Sequence, residues 1–200
     1  MVYIYKKNVE EINLKKNINI PENPVSNFLF NSSQGALIWL FVRVYVGYVW
    51  LTSGWKKLGN EAWIGENAGA AISGFMKGAL AKAEEGKDVS QWYASILENV
   101  VIPNAKVFSY VVVFGEILVG LGLIVGLLTG VAAFFGGLMN ASFLLAGTVS
   151  SNPLLFIFAT WLVLAWKNAG WYGLDRFALP LLGTPWSKKS KEQQDTNASV

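Results

Sequence analysis

The 200-residue chain contains no cysteine and no histidine. Together these absences remove disulfides, thiolate catalysis, Cys/His zinc sites, iron–sulfur ligation and the common haem ligands. No haem, iron–sulfur or zinc centre is therefore expected, and any redox chemistry needs a borrowed cofactor or a partner. Charge is scarce as well: Asp, Glu, Lys and Arg make up 14% of the chain, against roughly 25% in soluble domains. The net charge of +3 and the pI near 9.0 are modest. The basic residues are not gathered with interleaved aromatics, so no nucleic-acid partner is expected. No linker interrupts the apolar part, which points to one domain.

Hydrocarbon is what the chain has in quantity. Hydrophobic residues make up 53% of it and mean hydropathy is +0.38, so the lipid bilayer is the expected solvent and partner. A spanning helix needs about 20 mostly apolar residues. Four segments qualify: 36–58, 107–128, 131–149 and, more weakly, 153–169, where Lys167 cuts the uncharged part short. A re-entrant hairpin is the alternative for the last. The expected fold is all-α, an integral membrane four-helix bundle with a long helical loop between the first and second transmembrane helices. Thr129 and Gly130 alone separate helices two and three, which makes them an antiparallel hairpin, and Asn152-Pro153 signals the next turn. Gly122, Gly126 and Gly130 form an i, i+4, i+8 ridge suited to close helix packing.

Residues 1–35 read as a polar cytoplasmic tail, 36–180 as the membrane domain and 181–200 as a second polar tail. The first long apolar run begins near Ala36 and no small-residue cleavage pattern follows it, so it is a span and not a signal peptide. Within the long loop, Ile72, Phe75, Met76, Ala79, Leu80 and Ala83 share a helical face, predicting a helix over about 68–84. Trp92, Ile96, Leu97, Val100 and Val101 predict a second over about 90–102, with Asp88 and Gln91 spaced as a capping box. Two amphipathic helices over the bundle mouth or on the membrane surface are expected. The tails carry Lys6, Lys7, Lys15, Lys16, Arg176, Lys188, Lys189 and Lys191. The loop carries Lys56, Lys57, Lys77, Lys82, Lys87 and Lys106. This bias predicts a multi-pass protein of the cell membrane with both termini in the cytoplasm.

Arg43 is the anomaly in the first span. Seven residues past Ala36, it lies about 10 Å into the hydrocarbon at 1.5 Å per residue. A charge there costs at least about 2.5–3.5 kcal/mol, less what snorkelling recovers. Glu116 on helix two and Asn140 on helix three lie at similar depths, and a water- or ligand-bridged Arg43–Glu116 pair is expected. One role for such a pair is only to hold two helices in register. In the other, Glu116 exchanges a proton with a lipid-soluble substrate while Arg43 and Asn140 donate hydrogen bonds to its carbonyl oxygen. Tyr48 and Trp55, seven residues apart, share a face that suits either packing or a quinone slot. Lys56 and Lys57 either snorkel or bind an anion at the outer mouth.

These residues also carry a family resemblance. RVYVGYVWLTSGWKKL (43–58), with its arginine, its glycine and its terminal Gly-x-x-Lys-Leu, resembles the first-helix signature of the DoxX/DoxD family. SGFMKGALAKA (73–83), QWYASILENVVIPNA (91–105), GEILVGLGLIVGLLT (115–129), MNASFLLAGTVSSNP (139–153) and NAGWYGLDRF (168–177) follow in order and resemble its DoxD-like branch. The resemblance covers about residues 36–180 and implies a four-helix membrane protein. The DoxD branch implies the large subunit of a thiosulfate:quinone oxidoreductase that works with a smaller DoxA partner; other members are linked to thiol and oxidant handling. Position by position it marks Arg43, Gly54, Lys57, Glu116, Gly120, Asn140, Asn168, Asp175 and Arg176, without assigning them roles. The expected function is thus a membrane subunit of a quinone-linked oxidoreductase acting on thiosulfate or a related sulfur compound. Glu116 and Arg43 would be its reactive groups, with Asn140, Tyr48, Trp55 and Lys57 around the quinone. The alternative is a non-catalytic scaffold for a soluble redox enzyme. A DoxA-like subunit, such an enzyme, or a second copy of the chain are the protein partners to expect.

Overall fold

The computed structural model describes residues 22–183, and every regular element among them is helical. They run α1 (Pro24–Asn31), α2 (Gly35–Leu58), α3 (Ala70–Glu84), α4 (Gln91–Ile96, continued by one π-helical turn, Leu97–Val101), α5 (Ala105–Val125), α6 (Thr129–Leu145), α7 (Asn152–Leu164), α8 (Trp166–Ala169) and α9 (Asp175–Leu181). Two of these, α2 and α5, are long and apolar enough to cross a membrane; α6 and α7 are also apolar but shorter. The terminal lysines counted for orientation lie mostly outside the described residues.

Element ends follow local chemistry and shift the expected boundaries. α5 stops at Val125, three residues early, because Gly126 takes a left-handed φ of 67° and closes the helix with its N–H on the Gly122 carbonyl. α6 accordingly begins at Thr129 and ends at Leu145. α7 opens on Asn152 with Pro153 in its first turn, where a missing N–H costs nothing. It ends at Leu164, and the residues expected to complete it form the separate turn α8 beyond Ala165. Asp88 does not cap α4. Its φ is 30°, Ser90 is the N-cap residue, and Gln91 Nε2 donates instead to the Ala83 carbonyl at 2.8 Å.

The four long helices contact one another in a cycle: α2 along α5, α5 along α6, α6 along α7, and α7 back to α2. The α2–α5 seam is the closest. A Cβ on Gly120 would lie 2.5 Å from the Leu51 nitrogen, and one on Gly47 would lie 2.9 Å from the Gly120 carbonyl oxygen. Without side chains at these points the backbones approach as small-residue seams allow. Trp39, Val46, Trp50, Leu123, Ala133 and Leu162 fill the interior beside this seam.

α3 and α4 build a second core from Ile72, Met76, Ala79, Ala83, Tyr93, Leu97 and Val101, which closes on Ala105 and Ala146. Two side chains fasten it to the end of α6: Tyr93 donates its hydroxyl to the Ser142 carbonyl at 2.9 Å, and Lys82 Nζ donates to the Gly147 carbonyl at 2.6 Å. Burial pushes the Tyr93 phenol above its ordinary range, so it stays a neutral donor. At the opposite end, part of the segment expected as a polar tail is folded. The Leu29 carbonyl of α1 accepts from Trp39 Nε1 at 2.6 Å and from Asn168 Nδ2 at 2.8 Å.

Candidate functional site

Two polar centres lie inside the helices, at opposite ends of α2. The first is Glu116 on α5, 1% exposed. It faces Gly54 of α2, where an added Cβ would sit 2.8 Å from Ile117 Cγ1, 3.0 Å from the Ile117 nitrogen and 3.1 Å from the Glu116 Cβ, so glycine is what lets α5 approach α2 here. A helical side chain leans toward its own N-terminus. Lys57 therefore reaches back one turn, donates to Ser53 Oγ at 3.2 Å and forms an ion pair with Glu116 Oε1. Its ammonium also lies 4.8 Å from the centre of the Trp63 ring. Among the described residues Glu116 Oε2 makes no hydrogen bond, although the Ser53 hydroxyl also bears on the carboxylate, and neither Trp50 Nε1 nor either amide atom of the fully buried Asn140 has a partner.

A pocket of about 270 Å³ opens beside this pair. Trp50, Phe75, Phe143 and Trp63 give it aromatic walls, and Thr148, Ser150, Ser151 and Asn152 of the α6–α7 turn give it hydroxyls and an amide. Asn140 lies one turn before Phe143 on α6 and does not line the pocket.

The second centre holds Arg43, and here the expected pairing is corrected. Arg43 does not meet Glu116. Its Nη2 donates to the Tyr172 carbonyl at 3.0 Å and its Nη1 to the Ile124 carbonyl at 3.5 Å, with Asp175 as the carboxylate acting on it electrostatically. Ile124 lies eight residues along α5 from Glu116, about 12 Å away. Asp175 accepts from the backbone N–H groups of Leu128 and Thr129, the latter at 2.9 Å, and so caps the buried start of α6. Gly126 completes the contact, since a Cβ there would collide with Arg43 Nη1.

Of the other expected residues, Tyr48 and Trp55 are 62% and 68% exposed on the outer face of α2 and do not line the pocket. The inward face is that of Lys57, shared by Trp50 and Ser53 seven and four residues before it. The spacing of Tyr48 and Trp55 does put them on one face, but that face is the exposed one. Lys56 is also exposed. Asn168 holds α1 through the Leu29 and Ser32 carbonyls, and Arg176 stacks on Trp171 at 5.0 Å. Sequence reasoning missed Trp50, Ser53 and Trp63 as site residues; the i−4 and i−7 spacing from Lys57 would have found the first two.

Large apolar side chains such as Phe41, Val111, Leu118, Val131 and Phe134 are more than half exposed, while Arg43, Glu116 and Asp175 are buried. An apolar exterior around a charged interior defines an integral membrane protein with an internal ion-pair site. Residues 38–148 match the model of the DoxX family, and the chain belongs to that family. No curated protein and no solved structure matches it.

Proposed function

We propose that the chain crosses the membrane four times, through α2, α5, α6 and the α7–α8 segment, as the membrane subunit of a quinone-linked oxidoreductase. The quinone site is the pocket at Glu116 and Lys57. The observation that carries this reading is the unpartnered Glu116 Oε2 on a buried carboxylate lining an aromatic-walled pocket. Such an orphan oxygen calls for a ligand or a proton.

The residues present fit a quinone headgroup, a flat neutral ring with two carbonyl oxygens. Phe75, Phe143, Trp50 and Trp63 offer ring faces, and the hydroxyls of Thr148, Ser150 and Ser151 offer donors. A bound quinone would take up two electrons from the partner and two protons. Glu116, ionised against Lys57 at rest, would take protons up at Oε2 one at a time and pass each to the ring, while a hydroxyl of the α6–α7 turn orients a carbonyl oxygen. The Lys57–Glu116 pair is neutral overall, which suits an uncharged ring and disfavours a dianion such as thiosulfate. A sulfur donor is therefore oxidised outside this pocket, on a DoxA-like subunit or a soluble redox enzyme that supplies the electrons.

Glu116→Gln separates this reading from a purely structural pair. The amide keeps shape and most hydrogen bonds, so a quinone site predicts a folded protein that no longer binds a quinone analogue. If the variant binds the analogue like the parent while melting much lower, the scaffold reading replaces the oxidoreductase. Orientation has its own test, made clean by the absence of native thiols. A cysteine in place of Glu84 should react with an impermeant thiol reagent in intact cells, and one in place of Lys189 should not. The reverse pattern overturns cytoplasmic termini.

A further inference from the structure

The pocket beside Glu116 is the first of three adjoining cavities. Ile72 and Phe143 line both it and a second cleft of about 340 Å³. That cleft lies between α3, α4 and the π-helical turn on one side and Val112 and Met139 of α5 and α6 on the other. Val111, Leu138 and Met139 then border a third space, a groove of about 620 Å³ between α5 and α6. It is deepened by Gly115 and Gly122, seven residues apart on one side of α5.

The chemistry of the lining changes along this series. The pocket carries Lys57, Glu116 and a row of hydroxyls, while the groove carries only glycine and apolar side chains. In the cleft between them, the Tyr93 hydroxyl is spent on the Ser142 carbonyl. A polar chamber continued by an apolar channel matches a molecule with a polar ring and a hydrocarbon tail. The π-helical turn supports this, because such turns widen a helix and often mark functional sites. A second copy of the chain is excluded from the cleft, since the chain's own α3 and α4 cover it.

We propose a route for the tail of a membrane quinone: it leaves the Glu116 pocket past Ile72 and Phe143, passes under α4 and reaches the lipid along the α5–α6 groove. Phe143 stands edge-on to Phe75, their ring centres 6.1 Å apart, and forms the partition that the tail displaces. This inference rests on the quinone reading of Glu116.

The test uses the purified full chain in lipid nanodiscs with two probes: a tailless benzoquinone, and the same headgroup on an isoprenoid tail bearing a diazirine. In lipid the tail is already in hydrocarbon, so it adds little affinity to the parent protein. Leu138→Trp, at a position 52% exposed, narrows the junction of cleft and groove without touching the headgroup pocket. It should weaken the tailed probe by about tenfold or more through overpacking and leave the tailless probe unchanged. Leu164→Trp, the same change at an exposed position of α7 away from all three cavities, should change neither. Photolabelling should fall on Ile96, Val100 or Met139 and disappear under excess tailless quinone. Tailless binding with labels confined to other lipid-facing residues, or a tailed probe indifferent to Leu138→Trp, overturns the route and leaves the headgroup site standing. Failure of the tailless probe to bind overturns both.

Discussion

Asp175→Ala should lower the thermal midpoint of the purified protein by about 10 °C, the counterpart of roughly 3–5 kcal/mol for breaking a buried charge arrangement from one side. The loss has two sources. Arg43, 1% exposed, keeps its charge but loses the carboxylate that acts on it electrostatically, and the Leu128 and Thr129 N–H groups lose their acceptor at the start of α6. Asp175→Asn should cost less, because the amide oxygen still accepts one of those two N–H groups. Combining Asp175→Ala with Arg43→Met removes the stranded cation, so the double change should cost clearly less than the sum of the single ones. Strict additivity in that cycle would show that Arg43 and Asp175 do not interact.

What Arg43 does is half legible in the sequence. A permanent cation inside an apolar run demands compensation, and that demand alone singles out Arg43, Glu116 and Asn140 as buried. The partners are not legible, because counting depth along each helix assumes that all helices begin in one plane. They do not. Gly54 lies against Glu116, yet α2 ends four residues past Gly54 while α5 begins eleven residues before Glu116. This stagger of about 10 Å slides Glu116 away from Arg43 and level with the back-reaching Lys57. Backbone carbonyls of Ile124 and Tyr172 are invisible to any search for charged partners, which is why the true ligands of Arg43 could not be read. Helix ends fail for a related reason. Gly126 reads as one step of a packing ridge, and its positive φ instead ends α5 and opens the space that Arg43 fills.

The glycines of the family signature are more informative than the aromatics. Gly54 and Gly120 are marked by resemblance, and both lie on the closest seam of the molecule, within one turn of the Lys57–Glu116 pair. Tyr48 and Trp55 have suitable chemistry and share a face, but periodicity alone does not say which face looks inward. Lys57 does, because a lysine that points inward is tolerable only beside a carboxylate. The exposure of Lys56 against the 20% exposure of Lys57 makes the same point for two adjacent, chemically identical residues.

That dependence makes Lys57→Met the sharper probe of the pair. Methionine keeps the length and packing of the lysine stem and removes only the ammonium, leaving Glu116 buried and without its counter-ion. Loss of one partner from a buried pair costs about 3–5 kcal/mol, whereas replacing both with neutral groups of similar size is often close to neutral. Lys57→Met should therefore destabilise more than Glu116→Gln, whose remaining ammonium is 20% exposed and also bonded to Ser53. The double variant should melt above Lys57→Met alone. Thermal midpoints of the four proteins decide it, and a double variant no more stable than Lys57→Met would mean that the carboxylate is not the group being stranded. Binding of the tailless quinone separates the roles further. Lys57→Met retains a proton-exchanging carboxylate, so at a temperature where it is folded it should bind more weakly than the parent but more tightly than Glu116→Gln, an order that follows only if Glu116 is the group that meets the ring.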